Sequence, residues 1–126
     1  MIKEKLGDYR NELQEIISQT SDPMLEKYIE KNANAEYYLG YYKALAVNAA
    51  SVDAYILRIL TSKGDLRSIL LSYVENLRYQ KNSNPVTKNT SIKGFEDDLF
   101  TKGYKEGLNY FYSEAINILV NIATSS

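Results

Sequence analysis

The chain has 126 residues, 44% of them hydrophobic and 25% charged, with a net charge of −1 at neutral pH. This composition suits one globular domain able to bury a core without staples, and it supplies no overall field to attract nucleic acid or an anionic membrane. Cysteine and histidine are both absent; disulfides, thiolate chemistry, Ser–His and Cys–His nucleophile systems and the commonest metal ligand are excluded together.

The charged opening Met1-Ile2-Lys3-Glu4-Lys5 leads into an amphipathic pattern rather than a secretory signal. No unbroken apolar run approaches the roughly eighteen residues of a membrane span, so a cytoplasmic protein is expected. Ile2, Leu6, Tyr9, Leu13 and Ile16 step by four and three, which predicts a first helix over 2–18. Ser21 or Asp22 can cap the next helix, with Pro23 in its first turn. Its pattern, Leu25, Tyr28 and Ile29, is interrupted by Asn32 and Asn34. No proline or glycine marks a bend there, which favours one helix of nearly forty residues over a break.

The stretch from Ala35 to Leu60 is the spine. Tyr38, Tyr42, Leu45, Ala49, Val52, Ile56 and Ile59 share one helical face, and Leu39, Ala46, Leu57 and Leu60 widen it. So wide a band has to be covered by more than one neighbour. Thr61 to Gly64 reads as a helix stop, with Gly64 suited to a left-handed residue. Asp65 can cap a third helix over 66–80 with Leu66, Ile69, Leu70, Tyr73, Val74 and Leu77 inward. Lys81 to Gly94 is polar and aperiodic, a long loop expected to be mobile or functional.

A fourth helix is predicted from Phe95, with Glu96, Asp97 and Asp98 at its favourable N-terminal end. Its inward line is Phe100, Tyr104, Leu108, Phe111, Ala115, Ile118 and Ile122. Gly103 and Gly107 lie one turn apart; together they cost about 2 kcal/mol relative to alanine, and close approach of another helix backbone is the usual offset. Ile2, Leu6, Tyr9 and Leu13 match Leu66, Leu70, Tyr73 and Leu77, and Gly40-Tyr41 matches Gly103-Tyr104 at nearly the same spacing. This is a hint of duplication. The fold expected is all-α, an antiparallel four-helix bundle of two hairpins.

Carboxylates are the remaining candidates for catalysis. Glu12-x-x-Glu15 is half of the signature of the all-α nucleotide pyrophosphatases, but the other half, Glu-x-x-Asp, occurs nowhere in the chain. Asp53 sits at the edge of the buried band and could join a polar network with Asn48, Glu114 and Asn117. The loop lysines Lys81, Lys88 and Lys93 lack interleaved aromatics, so nucleic acid is not an expected partner. No metal or other cofactor is expected.

Tyrosine is the positive anomaly, with 12 residues and no tryptophan. Tyr37, Tyr41 and Tyr55 on the spine, and Tyr110 and Tyr112 on the last helix, are assigned to a partner-binding surface, because tyrosines with one apolar side and one wet end are enriched at protein interfaces. The functional expectation is a non-enzymatic protein-binding module, as a homodimer or with another protein. A small phage or mobile-element inhibitor of a host complex, or an immunity-type binder, would fit. The alternative is a small-ligand or magnesium-dependent nucleotide-binding or phosphohydrolase bundle using buried carboxylates, with a pocket built from Asp53, Glu114 and nearby tyrosines.

Overall fold

The computed structural model describes residues 1–21, 23–31, 33–83 and 99–125. Every regular element among them is a helix: α1 (Ile2–Thr20), α2 (Pro23–Glu30), α3 (Ala35–Thr61), α4 (Leu66–Ser83) and α5 (Leu99–Thr124). The helices pack as a bundle, but there are five of them where four are predicted. The expected continuous helix breaks after Glu30, and α3 starts afresh at Ala35 with Asn34 at its N-cap. Asn34 makes no side-chain cap bond to α3; asparagine ranks among the weaker helix formers, so a helix can end there without proline or glycine.

The other boundaries follow local chemistry. Thr20 Oγ1 donates to the Ile16 carbonyl at 2.7 Å as α1 ends. At the start of α4, Ser68 Oγ donates to Asp65 Oδ2 at 2.7 Å, and the backbone N–H groups of Arg67 and Ser68 also point at that carboxylate. These bonds, the Ser68 one first, hold the Asp65 carboxyl below its ordinary range. Gly64 does not take the left-handed conformation expected of it. Instead α3 ends on Ser62 in extended backbone, and Gly64 leaves room for the Ile69 side chain. Lys81 to Ser83, assigned to the loop, continue α4. The rest of that loop, the Asp22 cap and the acids preceding α5 lie outside the described residues.

The most extensive contact in the molecule is between α3 and α5, and it is made backbone to backbone. A Cβ on Gly40 would lie 2.0 Å from the Phe100 carbonyl oxygen, and one on Gly103 would lie 1.9 Å from that of Tyr37. One on Gly107 would come within 2.6 Å of the Tyr41 oxygen and 3.2 Å of Ala44 Cβ. Tyr37 meets Gly103 and Glu106, and one turn on Tyr41 meets Gly107 and Tyr110, so α3 and α5 run parallel. The antiparallel relations are those of the flanks. Arg10 meets Asp53 and Lys5 meets Ser125, while Tyr73 meets Tyr55 and Gln80 meets Tyr112.

The arrangement has an approximate two-fold relation. Gly40 faces Phe100 while Gly103 faces Tyr37; Tyr37 stacks on Tyr41 while Phe100 stacks on Tyr104. α1 packs on α3 and α4 on α5, burying Leu6, Tyr9 and Leu13 in one half and Leu70, Tyr73 and Leu77 in the other. The repeat hinted at in the sequence is thus a repeat of positions in space.

Coverage of α3 is incomplete. Leu57 is 46% exposed, and Val47, Ala50 and Ala54 form an exposed line with it at helical spacing. Phe100 at 41% is likewise more exposed than an inward position implies. Among the described residues α3 alone is long and apolar enough to cross a membrane by length and composition, with a mean hydropathy of 1.3 over its best window. Unbroken runs do not reveal this, because Asn48, Asp53 and Arg58 interrupt the apolar stretch without lowering its mean far.

Two substitutions of the same kind should therefore have opposite signs. Gly103→Ala drives a Cβ into a carbonyl, and the overpacking cost of about 1–3 kcal/mol or more outweighs the ~1 kcal/mol gained from helix propensity. Gly7→Ala meets nothing within 4 Å and should stabilise by up to about 1 kcal/mol. Urea unfolding of the two variants checks this; equal shifts would show that the helices do not touch at Gly103.

Candidate functional site

Tyrosines collect where the N-terminal halves of α3 and α5 meet. Tyr37 and Tyr41, one turn apart on α3, stack with ring centroids 6.3 Å apart. Tyr110 of α5 lies 6.4 Å from Tyr41, and the Tyr37 hydroxyl donates to the Glu106 carboxylate. Tyr38 and Tyr42 meet this ladder edge-on at 5.3 and 5.6 Å. The glycine crossing is what brings the rings together, because it lets two backbones approach closely enough for side chains on their flanks to touch. Tyr110 is 55% exposed and Tyr37 and Tyr41 are partly so, so the patch has apolar faces, fixed rotamers and wet hydroxyls.

The other two tyrosines of the predicted surface stand elsewhere. Tyr55 lies flat on Tyr73 of α4, centroids 3.9 Å apart and planes within 9°. Tyr112 is only 7% exposed, with its hydroxyl toward Gln80 at 3.4 Å, and belongs to the core between α4 and α5. A shared period does not tell the inner flank of a helix from the outer one until the neighbours are placed.

The predicted polar network separates into parts. Asp53, 9% exposed, takes Arg10 Nε at 2.9 Å on one carboxylate oxygen, and on the other Arg10 Nη2 at 3.5 Å and Gln14 Nε2 at 2.8 Å. Its partners are on α1, one turn apart, and neither Glu114 nor Asn117 is among them. Both of those are exposed on α5. Asn48 is buried and donates to the Ala44 carbonyl at 2.8 Å. Arg10 and Gln14 were therefore the residues to find; they flank Leu6 and Leu13 on α1, which the helical period alone assigns to solvent. A buried carboxylate held by a two-point guanidinium contact and an amide is a structural pairing whose oxygens are already occupied.

Among the described residues no group of three or more acidic side chains is placed to hold a metal ion. Comparison with known protein families, with characterised proteins and with solved structures finds no match.

The tyrosines set an alkaline limit. The hydrogen bond to Glu106, with some burial, pushes Tyr37 up to about 12, and burial raises Tyr9, Tyr41, Tyr73 and Tyr112. Above the unfolded value of about 10, the folded state holds protons that the unfolded state has released. Stability is therefore complete below that pH and is lost as pH rises through the folded values. In a tyrosinate absorbance titration, part of the signal should appear only with unfolding above pH ~10. Glu106→Gln should bring Tyr37 back toward its ordinary value; an unchanged curve would remove the Tyr37–Glu106 bond.

Proposed function

We propose that this chain is a non-enzymatic protein-binding module whose contact surface is centred on Tyr37, Tyr41 and Tyr110. The observation that carries the reading is the ordered ladder of these three rings, fixed at one end by Glu106. Rigid tyrosines contribute contact area with few rotamers to immobilise, which is why they dominate binding hot spots. Glu106 supplies a charge at the rim, where it biases orientation more than affinity.

The alternative, a metal-dependent nucleotide pocket, draws no support from the geometry. It needs Asp53 and Glu114 in one site, whereas Asp53 is engaged by Arg10 and Gln14 and Glu114 is exposed on another helix. The partner surface can be that of a second copy or of another protein, including a host complex that the module would occlude.

Tyr110→Ala tests this most cleanly, because an exposed ring can be removed at little cost to the fold. Wild type should show concentration-dependent mass by light scattering or capture a protein partner. The variant should weaken that association by roughly tenfold or more, the effect of losing a hot-spot side chain, with helicity unchanged. Association that is equally strong without Tyr110 and Tyr41 would count against the reading.

A further inference from the structure

The two halves of the bundle treat the cations of their flanking helices differently. In the α1 half, Arg10 and Gln14 both reach the Asp53 carboxylate on the central helix, Gln14 Nε2 at 2.8 Å. The two-fold relation that matches Leu13 to Leu77 and Gly40 to Gly103 carries Gln14 to Arg78 and Asp53 to Ile116. The α4 half therefore has a guanidinium where the other half has a carboxamide, and an alkyl group where the other half has an acid.

Beside Ile116 lies a cavity of about 390 Å³, open to solvent between α4 and α5 and lined by Arg78, Lys81, Asn82, Ser113, Ile116 and Asn117. Every lining side chain except Ile116 is a hydrogen-bond donor; two are cations and none is acidic. The positions matching Lys81, Asn82, Ser113 and Asn117 in the other half are Ile17, Ser18, Ala50 and Ala54. That half places its cation, Arg10, at the position of Val74 and answers it with Asp53, whereas the α4 half places two cations around Ile116. The shared helix geometry does not call for them.

Arg78 pairs with Glu75 on its own helix, but 48% and 69% of the two side chains are exposed. Such a pair is weak and exchanges readily for a better-placed anion. Lys81 donates to Ser113 Oγ at 2.7 Å, which holds its ammonium at the cavity wall. Its place in the last turn of α4 also suits the carbonyl end of that helix, an account that does not extend to Arg78 one turn earlier.

The geometry points to this cavity as a binding site for a carboxylate ligand, either a small dicarboxylate or the acidic side chains of a peptide. Asp53 shows the pattern within the same molecule: at the matching place a carboxylate accepts from the residue that stands where Arg78 does. A guanidinium takes a carboxylate in two-pronged fashion, and Lys81 one turn on meets a second acidic group. Asn82, Asn117 and Ser113 supply neutral donors around them. The volume equals about a dozen water molecules at liquid density, enough for two carboxyl groups joined by a short chain. The proposal stands apart from the protein-contact surface, since Tyr37, Tyr41 and Tyr110 do not line this cavity.

The test follows the side-chain amide signals of Asn82 and Asn117 by NMR in isotope-labelled protein. Succinate and a blocked diglutamate peptide are titrated separately, with succinamide as the neutral isostere and inorganic phosphate as the competing anion. At least one of the two carboxylate ligands should move both signals saturably and bind more tightly than phosphate, while succinamide moves neither. Which of the two binds tells a free diacid from a protein source. Arg78→Gln, Lys81→Gln and the charge-opposing Asn117→Asp should each weaken that binding roughly tenfold, the effect of one charge-assisted hydrogen bond, with helicity unchanged. Arg78 and Asn117 are exposed, so their variants keep the fold. Lys63→Gln, at an exposed cation beyond the other end of α4, should leave binding unchanged. Signals unmoved by either carboxylate, phosphate or succinamide bound as tightly, affinity indifferent to Arg78 and Lys81, or equal weakening in Lys63→Gln would each overturn the assignment.

Discussion

The contact on which this structure depends is the one between the backbones of α3 and α5. Gly40, Gly103 and Gly107 each forgo helix propensity worth about 1 kcal/mol against alanine, and each does so where a carbonyl or Cβ of the facing helix occupies the space a methyl group would need. Close approach brings many weak contacts, including Cα–H to carbonyl, into range at once. It also fixes register, since a slip of one residue along either helix would set a side chain against a carbonyl. The bundle is therefore flattened across its diagonal: the two central helices touch along their length while α1 and α4 lie on opposite flanks.

That flattening creates two grooves that are alike in geometry and unlike in chemistry. The groove with α1 is lined by Tyr9, Phe111, Ile16 and Ile118, with Glu12 and Glu114 close to Tyr9, and the one with α4 holds carboxamides and hydroxyls. Meanwhile Asp53 is anchored to α1 by Arg10 and Gln14, where the other half has Ile116 in the matching position. Asp53 is buried while Arg10 stays partly open to water, so the pair does little for net stability, but packings that separate its members leave the carboxylate without its partners. The aromatic ladder, the polar cavity and the ion pair thus occupy different sites on one scaffold, and each is set in place by the same helix crossing.

Much of the fold could be read from residue spacing. The four-and-three steps of Leu6, Tyr9 and Leu13, and of Ala49, Val52, Ile56 and Ile59, place buried faces correctly because the period of a helix is fixed by its backbone. Asp65 is legible for a similar local reason, since a cap acts within one turn. What escaped was everything decided between helices. Gly40 carries the same contact as Gly103, yet alone in its helix it gives no sign of a neighbour. Tyr112 and Tyr110 differ by two residues; only the position of α4 makes one core and the other surface. Arg10 looks like any solvated arginine until Asp53 is placed beside it.

The parallel course of α3 and α5 has an electrostatic corollary. Their aligned peptide dipoles set two partial positive poles side by side near Tyr37 and Phe100, and two partial negative poles together at Thr61 and Thr124. Like poles in contact repel. α1 and α4 run the opposite way on the flanks, so their carbonyl-terminated ends lie toward the amide-rich ends of the central pair and return part of that field. Glu36 in the first turn of α3 and Glu106 one turn further along α5 add negative charge at the same end. The flanking helices therefore do more than cover apolar surface: each neutralises a polarity that the central pair, left by itself, would present to water uncompensated.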